Sequence, residues 1–115
     1  YETVFDIRDK KVFLFKEMPE DMKQHFSRDT DNYIMHSEMI INGSPVWISD
    51  TTESVNPGTI LSLSLPFSSQ DEVRIAFDKL KDGGNVFMEL EATFYSPLFG
   101  SVQDKFGVIW HLICQ

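Results

Sequence analysis

The segment SSQDEVRIAFDKLKDGG, residues 68–84, constrains the fold of this chain more than any other stretch. Ser69 and Glu72 have the spacing of a capping box, which starts a helix. The Gly83-Gly84 pair can adopt the left-handed conformation that commonly ends one. Between these signals, apolar residues recur at helical spacing: Val73, Ala76, Phe77 and Leu80. A helix with one apolar stripe has to bury that stripe against a second layer of structure.

Strand patterns lie on both sides of this predicted helix. Before it, ILSLSLPF (60–67) alternates apolar and polar residues, which is typical of a half-buried strand. After it, NVFMELEAT (85–93) and GVIWHLIC (107–114) are rich in strand-forming residues, and GSVQDKF (100–106) reads as a strand or a turn. The second half of the chain is therefore predicted to follow the order β-α-β-β-β.

The first half repeats most of this order. YETVFDI (1–7) has helical spacing but is too short to be a helix alone, so it is interpreted as a helix end. Three stretches read as strands: KKVFLFKEM (10–18), YIMHSEMIING (33–43) and SPVWISD (44–50). Asn42-Gly43 predicts a tight hairpin between the last two, because both residues tolerate positive φ. The polar stretch 19–32 is interpreted as an exposed loop in which His25 is solvated.

The two halves together predict an α+β fold built from two similar modules. Residues 1–55 would form the first module, which lacks its first strand in this chain, and residues 56–115 would form the second. Both would belong to a single domain, residues 1–115, since a chain of this size can bury a stable core.

The charge and the cysteine content exclude several classes of function. The chain has 18 acidic and 10 basic residues, a net charge of −8, which disfavours nucleic acid and anionic membranes as partners. Its one cysteine, Cys114, rules out an internal disulfide and a zinc site made of several cysteines. No apolar run approaches the ~20 residues of a membrane-spanning helix. We therefore expect a cytoplasmic protein with neither a nucleic-acid nor a membrane partner.

Two stretches carry a resemblance to a known family. IMHSEMIINGSPVWISD (34–50) and GGNVFMELEATFYSPLFGSVQDKFGVIWHL (83–112) resemble the PhnB-like family of the vicinal oxygen chelate superfamily, which includes glyoxalase, bleomycin-resistance and dihydroxybiphenyl dioxygenase proteins. The most specific part is the run from Thr93 to Trp110. The resemblance implies paired βαβββ modules that are usually completed as a homodimer. It also implies that a first strand precedes Tyr1.

The same resemblance directs attention to His111. In metal-dependent members of the superfamily, His or Glu ligands stand on the first and last strand of each module. His111 falls on the last of these four positions, and imidazole ligates divalent metals well. Trp47 falls on the corresponding strand of the first module, and the strand LSLSLP (61–66) offers Leu or Ser. The fourth position lies before Tyr1.

Too few of these side chains can bind a metal. Trp and Leu have no lone pair to donate, and a divalent metal needs about three protein ligands. His36 and Glu38 lie on one face of their predicted strand and could join His111 if the strands are neighbours. We therefore predict no cofactor, with a divalent metal held by His111 as the weaker alternative.

Strand alternation places His111 and Trp110 on opposite faces of the last strand. Trp110 is expected under the helix with Phe77 and Leu80. His111 is expected to face a cavity lined by aromatic and polar side chains, as small-molecule sites usually are. The predicted ligand-binding residues are His36, Trp47, Phe94, Tyr95, Phe99 and His111.

Three functions remain open at this point. The favoured one is a metal-independent small-molecule-binding protein. The second is a metal-dependent lyase, isomerase or dioxygenase, and the third is an interaction module without a ligand. Some PhnB-like proteins are labelled as demethylubiquinone methyltransferases, but no Gly-x-Gly loop enters a helix here, because Gly83-Gly84 ends one. No nucleophile motif such as G-x-S-x-G is present, so no catalytic residue is assigned and whether the protein is an enzyme stays open.

Overall fold

A computed structural model describes residues 1–17, 32–51 and 54–115 of the chain. The described residues form two compact units. The N-terminal unit contains Glu2 and Val4–Val55, and the C-terminal unit contains Tyr1, Thr3 and Asn56–Gln115. The predicted loop around His25 lies outside the described residues. None of the described helices is both long and apolar enough to span a membrane.

The N-terminal unit is a three-stranded antiparallel sheet. Strand β1 spans Ile7–Leu14, β2 spans Ile34–Ile41 and β3 spans Ser44–Ile48, in the spatial order β1-β2-β3. The turn between β2 and β3 has positive φ at Asn42 (53°) and Gly43 (86°), which is the conformation that the Asn-Gly signal predicts.

The beginning of this unit differs from the sequence-based interpretation. Residues 2–5 form turns rather than a helix end, and β1 begins at Ile7 instead of Lys10. The reason is pairing: Ile7 and Arg8 find partners on β2, which holds them extended. Asp9 then takes a positive φ of 52° where the register shifts, which is the mark of a β-bulge. The strand gives way to a short 3-10 helix over Phe15–Glu17.

The C-terminal unit has the predicted order β-α-β-β-β. Its elements are β4 (Leu63–Phe67), helix α1 (Gln70–Lys81), β5 (Asn85–Glu91), β6 (Phe99–Gln103) and β7 (Ile109–Cys114). The strands form one sheet in the order β4-β7-β6-β5. Strands β4 and β7 are neighbours and run parallel. The pairs β7-β6 and β6-β5 are antiparallel. The chain is therefore a mixed α+β protein, as predicted.

Helix α1 follows its sequence signals closely. The backbone N–H of Glu72 donates to Ser69 Oγ at 3.2 Å, so Ser69 is the N-cap. Gly83 has a φ of +76°, the left-handed conformation expected just after the helix. The predicted apolar stripe is the buried face of the helix: Val73, Ala76, Phe77 and Leu80.

Strand β4 is shorter than its sequence pattern predicts. It begins at Leu63, and the preceding Ile60 and Leu61 are 94% and 82% exposed. Strand β7 supplies the explanation, because Leu63 already pairs with Trp110 near the start of that strand. If the strand continued back to Ile60, that residue would lie opposite the turn that precedes β7. A turn does not provide the regular hydrogen bonds that a strand partner needs.

Candidate functional site

The two faces of β7 have different surroundings. A side chain at Gly100 on β6 would meet the Phe77 ring at 3.0 Å, so that face of the sheet lies against α1. Leu112 is the cross-strand partner of Gly100 and is fully buried. Trp110 is two residues away on the same face and is also buried, whereas His111 points to the opposite face and is half-buried. The predicted separation of Trp110 from His111 is confirmed.

Asp104 organises the turn between β6 and β7. Its Oδ1 accepts hydrogen bonds from the backbone N–H groups of Phe106 (2.9 Å) and Val108 (3.0 Å). Its Oδ2 accepts the Trp110 indole N–H at 2.8 Å and the Tyr1 hydroxyl at 2.7 Å. The carboxylate is buried and has four donors. The Asp-Lys-Phe-Gly run that opens this hairpin is therefore a structural motif, and its effect is to fix the position of β7.

Tyr1 gives this network a pH dependence. Its pKa is raised above the ordinary value near 10 because its ring is partly buried, and the hydrogen bond and charge of Asp104 add to the effect. The unfolded phenol ionises near pH 10, so the stabilisation from Tyr1 is complete below about pH 10 and declines above it. We expect the stability difference between wild type and Tyr1→Phe to shrink from about pH 9 to pH 11, measured by urea unfolding. A difference that stays constant over this range would contradict the assignment.

His111 lies in a polar row that crosses the sheet. Its neighbour on β4 is Ser64 and its neighbour on β6 is Ser101, so two hydroxyl-bearing residues flank the imidazole on one face. No hydrogen-bond partner for the His111 ring occurs among residues 1–17, 32–51 and 54–115. Neither serine was among the predicted site residues. Only the strand register identifies them, and the register depends on pairing between distant parts of the chain.

Four of the six predicted site residues form a continuous aromatic chain in the C-terminal unit. The ring centroids of His111 and Phe99 are 5.5 Å apart, those of Phe99 and Tyr95 are 5.7 Å apart, and those of Tyr95 and Phe94 are 5.0 Å apart. All three contacts are edge-to-face, the favourable geometry for aromatic pairs. The chain runs from a half-buried imidazole to Phe94, which is 100% exposed. We call these four residues the His111 cluster.

The loop that carries Phe94 and Tyr95 is held by hydrogen bonds. The Thr93 N–H donates to the Ser96 carbonyl at 2.9 Å, and the Ser96 N–H donates to Thr93 Oγ1 at 3.1 Å. The buried Ser96 hydroxyl lies 2.7 Å from the Cys114 carbonyl oxygen and 2.8 Å from that of Leu98. This loop is therefore anchored to the end of β7, and its exposed aromatic pair is presented on a defined backbone.

The other two predicted residues, His36 and Trp47, meet in the N-terminal unit. Their ring centroids lie 5.4 Å apart, and Phe13 stacks on the other side of His36 at 6.3 Å. His36 Nε2 is 3.1 Å from Glu38 Oε1. We call Phe13, His36, Glu38 and Trp47 the His36 cluster. Phe13 was not predicted, because its place beside His36 follows from the pairing of β1 with β2.

The described residues do not fit a divalent-metal site at His111. Its strand neighbours are serines, which are poor neutral ligands. His36 and Glu38 lie on β2, which pairs with β1 and β3 and not with β7. In the part of the chain that the structure describes, no group of three His, Cys, Asp or Glu side chains is placed to hold a metal ion.

Comparison with known proteins agrees with this architecture. Residues 1–113 match the family described as 3-demethylubiquinone-9 3-methyltransferase. The Escherichia coli (strain K12) protein YjdN is 35% identical over 82 residues, which are 70% of this chain and 55% of YjdN. The chain thus spans about half the length of this curated relative.

Solved structures similar to this chain include two bacterial proteins. Protein PA1353 from Pseudomonas aeruginosa has a TM-score of 0.76 and 29% identity, and the match covers 92% of this chain and 77% of that one. A PhnB protein from Bacillus cereus, named as a 3-demethylubiquinone-9 3-methyltransferase, has a TM-score of 0.70 and 20% identity. That match covers 100% of this chain and 85% of the other, and at this identity it supports the fold alone. The chain belongs to the 3-demethylubiquinone-9 3-methyltransferase family, which confirms the predicted resemblance to PhnB-like proteins.

Proposed function

We propose that this protein binds a small organic molecule at the His111 cluster without the help of a metal ion. The observation that supports this most directly is the state of the His111 imidazole. It lies between two hydroxyl-bearing residues and against an aromatic ring, and no hydrogen bond to another described residue satisfies it. A half-buried polar group with unused hydrogen-bonding capacity, framed by aromatic surface, is the usual makeup of a ligand site.

The composition of the cluster indicates the kind of ligand. Phe94 and Tyr95 are exposed and offer edge and face contacts to a planar or apolar group, whereas Phe99 is buried and packs against the His111 ring. His111 offers one donor and one acceptor nitrogen, and its tautomer decides which nitrogen donates. Ser64 and Ser101 can add further hydrogen bonds from the neighbouring strands. We therefore propose a ligand with an aromatic or apolar body and a polar edge.

The glycine pair at the end of α1 gives no support to a methyl-transfer function. The family description names a methyltransferase, yet the Gly83-Gly84 pair follows the end of α1 instead of opening a helix. A glycine loop can hold a nucleotide-like cofactor at a helix N-terminus because the backbone N–H groups there are free, and this pair does not offer that arrangement. Ligand binding at the His111 cluster does not require a cofactor site of this kind.

The proposal is tested by comparing ligand binding in matched variants. In a thermal-shift screen of aromatic compounds that carry a polar edge, we expect a hit to raise the melting temperature of the wild type. His111→Phe, which keeps ring volume but loses both nitrogens, should weaken the binding of that hit by about tenfold, the effect of losing one good hydrogen bond. The control is Arg74→Gln, at an exposed position on α1, which should bind like the wild type.

Two results would overturn the proposal. The first is a hit whose affinity is the same in His111→Phe and in the wild type. The second is a stoichiometric divalent metal in the purified protein that is lost in His111→Phe, which would favour the metal-dependent alternative instead.

The homodimer and the cytoplasmic location stay predictions, and light scattering of the purified protein checks the first of them.

A further inference from the structure

The His36 cluster has a chemistry that differs from that of the His111 cluster. It contains a carboxylate, Glu38, beside two large aromatic side chains, and all of its members lie on one sheet within the N-terminal unit. Glu38 faces Trp47 across β2 and β3, and His36 faces Phe13 across β1 and β2. Two adjacent cross-strand pairs therefore create a compact patch on this sheet.

The hydrogen bond between His36 and Glu38 defines the orientation of both side chains. His36 Nε2 and Glu38 Oε1 are 3.1 Å apart, so a neutral imidazole donates from Nε2 and directs its ring between Phe13 and Trp47. The Phe13 and His36 rings are inclined by only 22°, whereas the Trp47 ring stands at 75° to His36. One oxygen of Glu38 takes part in this bond, and no residue in the described part of the chain donates to the other.

The aromatic members of the patch are exposed to an unusual degree for residues on a paired strand. Trp47 is 70% exposed and Phe13 is 43% exposed. Lys11 is the strand partner of Glu38 on β1, yet it forms no ion pair with that carboxylate among the described residues. Glu38 is thus a carboxylate beside exposed aromatic faces, and its one cationic partner among the described residues is His36 when that ring is protonated.

We propose that the His36 cluster binds an organic cation of the alkylammonium class. The face of an aromatic ring attracts cations through its quadrupole, and Trp does so most strongly. A nearby carboxylate adds a charge attraction and repels anions. The net charge of the chain, −8, has the sign that concentrates cations near its surface. This inference concerns residues other than His111, so it can fail or hold independently of the function proposed above.

Choline and its neutral carbon isostere, 3,3-dimethylbutan-1-ol, provide a direct test. The two molecules have nearly the same shape and differ by one positive charge. The readout is the indole N–H signal of Trp47 in a nitrogen-proton correlation spectrum at constant ionic strength. The other tryptophan, Trp110, donates its indole N–H to Asp104 and serves as an internal reference. We expect choline to shift the Trp47 signal in a saturable way, and the isostere to bind at least tenfold more weakly.

Matched variants test whether choline binds at the His36 cluster. Glu38→Gln keeps the shape and the hydrogen bond to His36 but removes the charge, and we expect it to weaken choline binding about tenfold. Asp6→Asn removes the same charge from an exposed ion pair with Arg8 elsewhere in the unit, and it should leave the affinity unchanged. The melting temperatures of both variants show that they remain folded.

Three outcomes would overturn the inference. One is equal affinity for choline and for the neutral isostere. Another is choline binding that survives Glu38→Gln but is lost in His111→Phe, which would move the cation to the His111 cluster and leave the function proposed above intact. The last is a Trp47 signal that changes with protein concentration and not with choline, which would make this face a contact between copies of the chain.

Discussion

Asp104→Ala is expected to lower the free energy of unfolding by about 4 kcal/mol. The substitution removes the acceptor of four hydrogen bonds, among them the bond from the buried indole N–H of Trp110. Each unsatisfied buried donor costs roughly 1–3 kcal/mol, and the two turn N–H groups recover part of their loss from water. A loss of this size is a large fraction of the total stability of a small protein.

Two milder variants separate the contributions within this network. Tyr1→Phe removes only one hydroxyl donor and should cost about 1 kcal/mol. Asp104→Asn keeps an oxygen for the two backbone N–H groups but loses the charge, so its cost should lie between the other two. Urea unfolding of all three variants, with the Trp110 indole signal as a local reporter, checks the order. Equal losses in Asp104→Ala and Tyr1→Phe would show that the turn forms without the carboxylate.

Gly84→Ala is expected to cost about 3 kcal/mol or more, or to prevent folding. A Cβ at this position would lie 2.1 Å from the carbonyl oxygen of Gln103, well inside contact distance. That oxygen belongs to the backbone of β6, where Gln103 pairs with Asn85 on β5 and with Ile109 on β7. The clash therefore cannot be relieved by a change of rotamer, and the pairing at the end of the sheet has to shift.

Gly58→Ala is the matched control for this prediction. It lies in the same unit, has no atom within 4 Å of an added Cβ, and does not have a positive φ. We expect it to change the stability by less than about 1 kcal/mol, with a small gain from reduced freedom of the unfolded chain. Thermal unfolding compares the two alanines directly. If Gly84→Ala is as stable as Gly58→Ala, the close approach of the two backbones is not required.

The local elements of this fold were predictable because their signals lie within a few residues of one another. The helix from Gln70 to Lys81 begins at its predicted cap and buries its predicted stripe. The Asn42-Gly43 turn adopts the expected positive φ angles. Where the prediction was wrong, the partner strand decided the outcome. Pairing with β2 extended β1 to Ile7, and the position at which β7 begins shortened β4 to Leu63.

For the candidate site residues too, local patterns predicted some features and strand pairing decided the others. Alternation along one strand was enough to separate His111 from Trp110, because side chains point to opposite faces at every step. Alternation could not identify Ser64 and Ser101 as neighbours of His111, or Phe13 as the neighbour of His36. Nor could it show that four of the six predicted residues lie in the C-terminal unit and two in the N-terminal unit.

The sequence by itself determined the helix, the hairpin, the order of elements in the second half and the resemblance to the PhnB-like family. These follow from capping, turn preference and apolar spacing, which act over short distances along the chain. Only the tertiary structure decided the register of the strands and, with it, the surroundings of His111, His36 and Asp104. Those surroundings depend on hydrogen bonds between residues that are far apart in sequence, and no local pattern specifies which of several possible pairings forms.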